Sequence, residues 1–165
     1  MTATRFNPGP DTLRLFRDAL GRFGTGITVV TCHSEKGPLG ITANSFAAVS
    51  LDPPLVLWSP ARASRRFEAF ARAEHYAIHV LSDDQLDVGQ RFSGEGFDFE
   101  GLNWTESETL TPLIEGALAC FECTRHAAHD GGDHAIIVGR VTRTTTTEGT
   151  PVIFAGGKYG RFEPF

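Results

Sequence analysis

The sequence predicts a mainly β domain, a closed or nearly closed antiparallel barrel with a few peripheral helices. Three observations carry that prediction: many short apolar runs of strand length, Gly- and Pro-marked turns between them, and few segments with helical spacing. The chain has 165 residues, 41% of them hydrophobic and 21% charged. That length holds one domain whose core needs neither disulfides nor a metal.

The elements follow in chain order. Residues 1–10 carry two prolines and a glycine and read as a flexible N-terminal arm ahead of a domain spanning 11–165. Asp11 or Thr12 caps a helix whose apolar positions Leu13, Phe16, Leu20 and Phe23 recur at helical spacing, and Gly21 and Gly24 end it. Residues 26–33 alternate as a first strand, 34–37 turn, and 38–46 return as a second. The pair Pro53-Pro54 excludes a helix, and 55–59 is a third strand. A helix over 62–72 buries Ala63, Phe67, Phe70 and Ala71, with Ser64 near a start whose free N–H groups favour an anion. Residues 76–81 form a fourth strand, and Ser82 caps a helix over 84–92.

Residues 93–100 read as an irregular loop, 102–106 as a short strand and 110–115 as a connection. A long hairpin pairs 117–126 with 135–147 through a loop over 127–132. A last strand over 152–154 precedes a flexible tail over 156–162. No linker or internal repeat interrupts this order.

Charge and cysteine usage exclude several functions. The net charge is −5 and the basic residues are scattered, so no surface for nucleic acid is expected. No apolar run approaches the ~20 residues of a membrane span, and no apolar signal core follows Met1, so a cytoplasmic protein is expected. Cys120, Cys123, His126 and His129 are spaced like a zinc site. On a strand, however, a spacing of three sends Cys120 and Cys123 to opposite faces, and no metal is expected. No G-x-G-x-x-G opens a helix after a strand, which excludes a Rossmann mode of dinucleotide binding.

The most informative stretch runs from Gly40 to Ser59. Thr42, Ala43, Asn44 and Ser45 interrupt an apolar strand with side chains small enough to let a flat ligand reach the backbone, and they offer hydroxyl and amide groups to it. The run G-I-T-A-N-S-F-A-A-V-S-L-D-P-P-L-V resembles the flavin-binding segment of the short-chain flavin reductases, the NAD(P)H-dependent partners of two-component flavin monooxygenases. Ser64-Arg65-Arg66, Arg91-Phe92-Ser93 and Gly132-Asp133-His134 follow in the family's order, and the likeness extends from about Phe16 to Phe162.

The resemblance implies a split β-barrel with Greek-key connections that binds FMN or FAD at a homodimer interface and takes NADH or NADPH as co-substrate. It assigns Thr42, Ala43, Asn44 and Ser45 to the isoalloxazine edge, and Ser50, Leu51 and Asp52 to the ring and ribityl chain. Ser59, Ser64, Arg65 and Arg66 would hold the phosphate, bidentately at arginine. His134 would be the catalytic residue, orienting the nicotinamide, with Asp133 fixing its tautomer. Two departures stand out: Arg66 replaces the family's usual threonine or serine, and Gly96-Phe97-Asp98-Phe99 lacks a lysine that relatives carry. The function expected is a flavin reductase supplying reduced flavin to a partner monooxygenase. The alternatives are a tight FMN electron carrier of the same fold and a non-catalytic flavin- or haem-binding barrel.

Overall fold

The structure, a computed structural model, describes residues 3–165; Met1 and Thr2, the start of the expected arm, lie outside the described residues. A short 3-10 turn, Pro10–Thr12, leads into helix α1 (Leu13–Leu20). Strands β1 (Thr25–Gly26), β2 (Thr28–Ser34), β3 (Gly37–Ala43), β4 (Ala47–Leu51) and β5 (Pro54–Trp58) follow. Helix α2 (Phe67–Arg72), strand β6 (His75–Val80) and helix α3 (Leu86–Gly94) come next. The remainder is β7 (Trp104–Glu106), β8 (Pro112–Ile114), β9 (Ala119–Gly131), β10 (His134–Thr146), β11 (Val152–Ala155) and β12 (Lys158–Arg161).

Seven strands form one sheet in the order β3-β2-β6-β9-β10-β5-β4, and every neighbouring pair is antiparallel. The outermost strands, β3 and β4, are consecutive in the chain and are separated only by Asn44, Ser45 and Phe46. The sheet therefore curls until its two edges approach, yet those edges do not pair with each other. This is a split barrel, as expected. Two smaller sheets, β1-β11-β12 and β7-β8, lie outside it.

Strand β2 reads T-V-V-T-C-H-S, and its first five residues are buried because both of its faces are covered. Val30 and Cys32 join Trp58, Phe70, Tyr76 and Ile137 in one core, where Trp58 meets Phe70 edge-on at 5.2 Å. Val29 faces a second core with Ile27, Leu81, Val88, Phe92 and Phe99, beneath α3. Each such aliphatic or aromatic burial stabilises by about 1.5–3 kcal/mol.

A polar pin holds β8 to the main sheet. His79 is fully buried; its Nδ1–H donates to the Val29 carbonyl at 3.0 Å, and its Nε2 accepts from the Ile114 N–H at 3.1 Å. Burial pulls the imidazole pKa from 6.5 down to about 4. Thr31 adds a hydroxyl donated to the Pro112 carbonyl at 2.5 Å.

The structure corrects several expected elements. Residues 47–51, unassigned from sequence, form an edge strand whose exposed A-A-V-S-L pattern has no alternation to betray it. The helix expected over 62–72 begins only at Phe67 and buries only Phe70. Its first part is drawn into the sheet instead: Ala61 bridges to His134, and the Ala135 N–H donates to the Pro60 carbonyl at 3.1 Å. Ser64 thus sits in a turn, and the expected anion-binding helix start is not there. The loop expected over 127–132 is strand up to Gly131, closed by the two-residue turn Gly132-Asp133 with Gly132 at φ +74. The expected tail over 156–162 folds back as β12 on β11 around Gly156 and Gly157, both at positive φ. The connection over 110–115 contains β8. No helix among the described residues is long and apolar enough to cross a membrane.

Candidate functional site

The unpaired seam between β3 and β4 is where main chain lies bare. Along it, Asn44, Ala47 and Ala48 are exposed, and none of them is bulky. The Ser45 hydroxyl holds the seam in place: it accepts from the Ser59 N–H at 2.9 Å and donates to the Ser59 carbonyl at 3.3 Å. Ser45 therefore ties the joint to the end of β5. The Thr42 hydroxyl is likewise committed, donating to the Gly89 carbonyl of α3 at 2.6 Å. What these two residues can offer a ligand is backbone.

Past β5 the chain runs beside the start of β10. The Ala61–His134 bridge is reinforced by the Arg62 N–H, which donates to the Asp133 carbonyl at 2.8 Å. Arg62 also pairs with Asp130 at 2.7 Å and donates to the Gly132 carbonyl at 3.1 Å, which fixes the hairpin turn. His134 is thereby placed at the same end of the sheet as Ser59 and the joint. Its Nδ1 meets the Asp133 carboxylate at 2.7 Å, while Nε2 has no partner among the described residues. The hydrogen bond and then the charge of His134 hold the Asp133 carboxyl below its usual pKa.

The other expected residues divide. Ser64 accepts from the Arg66 N–H at 3.2 Å, and Arg65 has no hydrogen-bond or ion-pair partner among the described residues. Arg66 is spent on structure: its Nη1 donates to the Gly40 carbonyl at 3.1 Å and to the Phe92 carbonyl at 2.8 Å, and Nη2 reaches the Ser93 carbonyl at 3.5 Å. It caps the C-terminal end of α3, the favourable place for a cation, and burial lowers its pKa from the ordinary arginine value. Ser50, Leu51 and Asp52 lie at the far end of the β4–β5 hairpin. Ser50 pairs with Leu55, four residues from Ser59, or about 13 Å along the strand.

Sequence reasoning missed the glycines that shape this end of the molecule. A Cβ on Gly40 would stand 2.5 Å from the Phe92 ring, and one on Gly96 would stand 2.8 Å from Leu39 and 2.9 Å from the Gly40 carbonyl. The Gly40 N–H donates to the Gly96 carbonyl at 2.8 Å, so the loop after α3 is laced onto β3. Only the isolated glycines in otherwise ordered stretches hinted at this close approach.

An open-edged barrel with bare main chain, unspent polar side chains and a carboxylate-oriented histidine at one end defines a split-barrel protein with an approach for a flat ligand. Residues 20–163 match the flavin reductase like domain, and the chain belongs to that family. It is 55% identical over 157 residues to the FMN reductase (NADH) SmoA of Agrobacterium fabrum, covering 95% of this chain and 90% of that protein. It is 41% identical to a flavin-dependent monooxygenase reductase subunit, HsaB, of Mycobacterium tuberculosis, covering 92% of this chain and 83% of that one. Among solved structures, the NADH:FAD oxidoreductase of Streptomyces globisporus superposes with a TM-score of 0.89 at 34% identity, covering 100% of this chain and 96% of that one.

Proposed function

We propose that this chain is an NADH-dependent flavin reductase that works as a homodimer and passes reduced flavin to a separate monooxygenase. The observation that carries the reading is the seam itself, a strip of uncovered main chain running past Asn44 toward His134. The likeness to an FMN reductase and to monooxygenase reductase subunits supports the same chemistry. Hydride transfer from nicotinamide C4 to flavin N5 is chemistry that the two ligands supply.

The chain's part is placement. Asn44, Ser50, Asp52 and Ser59 have side-chain groups with no partner among the described residues, which suits them to a polar ring edge and a ribityl chain. Backbone of Thr42, Ala43 and Ser45 would meet the ring, and Leu51 would flank it. Ser64 and Arg65 would take the phosphate, with Arg66 bracing the wall behind them. Backbone donors aimed at the ring edge favour its reduced, more negative form. His134, held by Asp133, would orient the nicotinamide through Nε2 without serving as an obligatory base.

The homodimer is inferred from apolar surface that a single chain leaves wet. No residue of α1 is buried, although Leu13, Phe16 and Leu20 form an apolar stripe on it. On the edge strand Leu51 is 98% exposed. A second copy covering both would also close over the seam. Residues 11–165 would form the working domain and 1–10 an arm, and a reaction fed by NADH belongs in the cytoplasm.

Steady-state NADH oxidation with added FMN or FAD tests the reading. Turnover that depends on added flavin is expected. A protein that stays yellow through dialysis and oxidises no NADH would instead be an electron carrier, and absence of both colour and turnover would leave a non-catalytic barrel.

A further inference from the structure

Asn44 stands out by its reactivity as well as by the place proposed for it at the ring edge. It sits in a bend outside both flanking ladders, since β3 ends at Ala43 and β4 begins at Ala47. Its side chain is exposed and has no hydrogen-bond partner among the described residues, and neither has the N–H of Ser45. Asparagine is a thermolabile residue. It loses its amide fastest where the side chain is exposed and unbound, the next N–H lies outside any ladder, and the next side chain is small.

The chain has three asparagines, Asn7, Asn44 and Asn103, and they differ on these points. Asn7 precedes Pro8, whose nitrogen carries no proton to give up. Asn103 precedes Trp104, a bulky residue of β7 whose ring packs on Phe99 at 5.1 Å. Asn44, followed by Ser45, meets every condition.

We propose that Asn44 is a site of spontaneous deamidation in the flavin-free protein, and that flavin seated in the seam prevents it. The protection rests on the flavin reductase reading above. In the reaction the Ser45 backbone nitrogen attacks Cγ of Asn44. A C–N bond forms to close a succinimide, the bond from Cγ to the amide nitrogen breaks, and that nitrogen leaves as ammonia with the proton given up by Ser45. Water then opens the ring at either carbonyl, leaving aspartate at one and isoaspartate at the other. A slot wide enough for a flavin admits that water once the flavin is gone. With the ring in place, its edge holds the Asn44 amide away from the Ser45 nitrogen.

Both products spoil the site. A carboxylate at residue 44 opposes the negative charge that the ring edge gains on reduction. Isoaspartate also puts an extra methylene into a main chain that is held on both sides. The Thr28 hydroxyl donates to the Ala43 carbonyl at 2.7 Å, Ser45 is bound to Ser59, and the Phe46 ring stacks on Phe121 at 5.5 Å. An idle molecule therefore ages at its own site, and one that holds flavin does not.

Peptide mass mapping of the wild type, warmed at mildly alkaline pH with and without FMN, tests this. Without FMN, the peptide holding Asn44 is expected to gain the mass of amide-to-acid conversion while those holding Asn7 and Asn103 do not, and flavin-dependent NADH oxidation should fall in step. FMN at about ten times its dissociation constant leaves about a tenth of the seams empty, so conversion should slow about tenfold. An Asn44 peptide that stays unchanged, or that converts equally fast with FMN, in a protein that reduces FMN overturns the proposal and leaves the reductase standing. A wild type that neither binds nor reduces flavin overturns the reductase and the protection together.

Discussion

At the scale of single residues, the duties proposed for Asn44 and His134 are separable by experiment. Asn44→Ala is expected to raise the flavin dissociation constant about tenfold, since a hydrogen bond of this kind is worth about 1 kcal/mol or somewhat more. His134→Ala is expected to lower kcat about tenfold while changing flavin affinity little, because orientation of the second ligand is what it removes. Fluorescence titration and stopped-flow reduction read the two effects apart. Neither substitution touches a core contact.

His79 makes a prediction about acid. Its folded pKa of about 4 lies below the ordinary value of 6.5, so between those pH values the unfolded chain holds the extra proton. Stability contributed by the neutral ring is therefore whole above pH 6.5, falls as pH drops toward 4, and is fully lost below it. The window amounts to about 3 kcal/mol. Urea unfolding at pH 7 and pH 5 should show this slope in the wild type and a shallower one in His79→Gln. His79's role was not legible beforehand, since a histidine at a strand's inward position looks the same whether or not two backbone groups wait for it.

At the scale of elements, α3 and β3 are joined through a glycine. A methyl group at residue 40 would press into Phe92, which is fully buried and cannot swing away, because Phe99 packs on it at 4.9 Å. Gly40→Ala is expected to cost about 1–3 kcal/mol. Thermal unfolding measures the loss, and a larger KM for flavin should accompany it as Thr42 and the joint shift with β3.

Elements were unequally legible. Strands with buried faces, such as β2, β5 and β6, announced themselves through runs of Val, Ile and aromatic residues. Strand β4 did not, because its pattern answers to no core of this chain. The segment before Phe67 misled through helical spacing that sheet pairing at Ala61 overrode. Of the site, the small residues at 42–45 were readable as an approach for a flat ligand. The diversion of the Ser45, Thr42 and Arg66 side chains to backbone partners was not, since it depends on neighbours 14, 47 and 26 residues away.

At the scale of the whole molecule, the apolar surface of α1 and β4 argues for association. A double change, Phe16→Glu with Leu51→Glu, is expected to halve the mass seen by light scattering. Buried against a second copy, two such side chains contribute about 3–6 kcal/mol per protomer. Flavin affinity should fall in the same variant, because the seam lies beside β4.

The join between the outermost strands is only three residues long. Such a short hem leaves no slack: the two borders of the sheet must stand a fixed distance apart, whatever side chains the hem carries. A glycine inserted after Ser45 should thus let the borders drift and loosen the grip on flavin more than replacing Asn44 does, with the melting temperature nearly unmoved. The spacing that admits a flat ring is, on this account, a matter of chain length before it is one of side-chain chemistry.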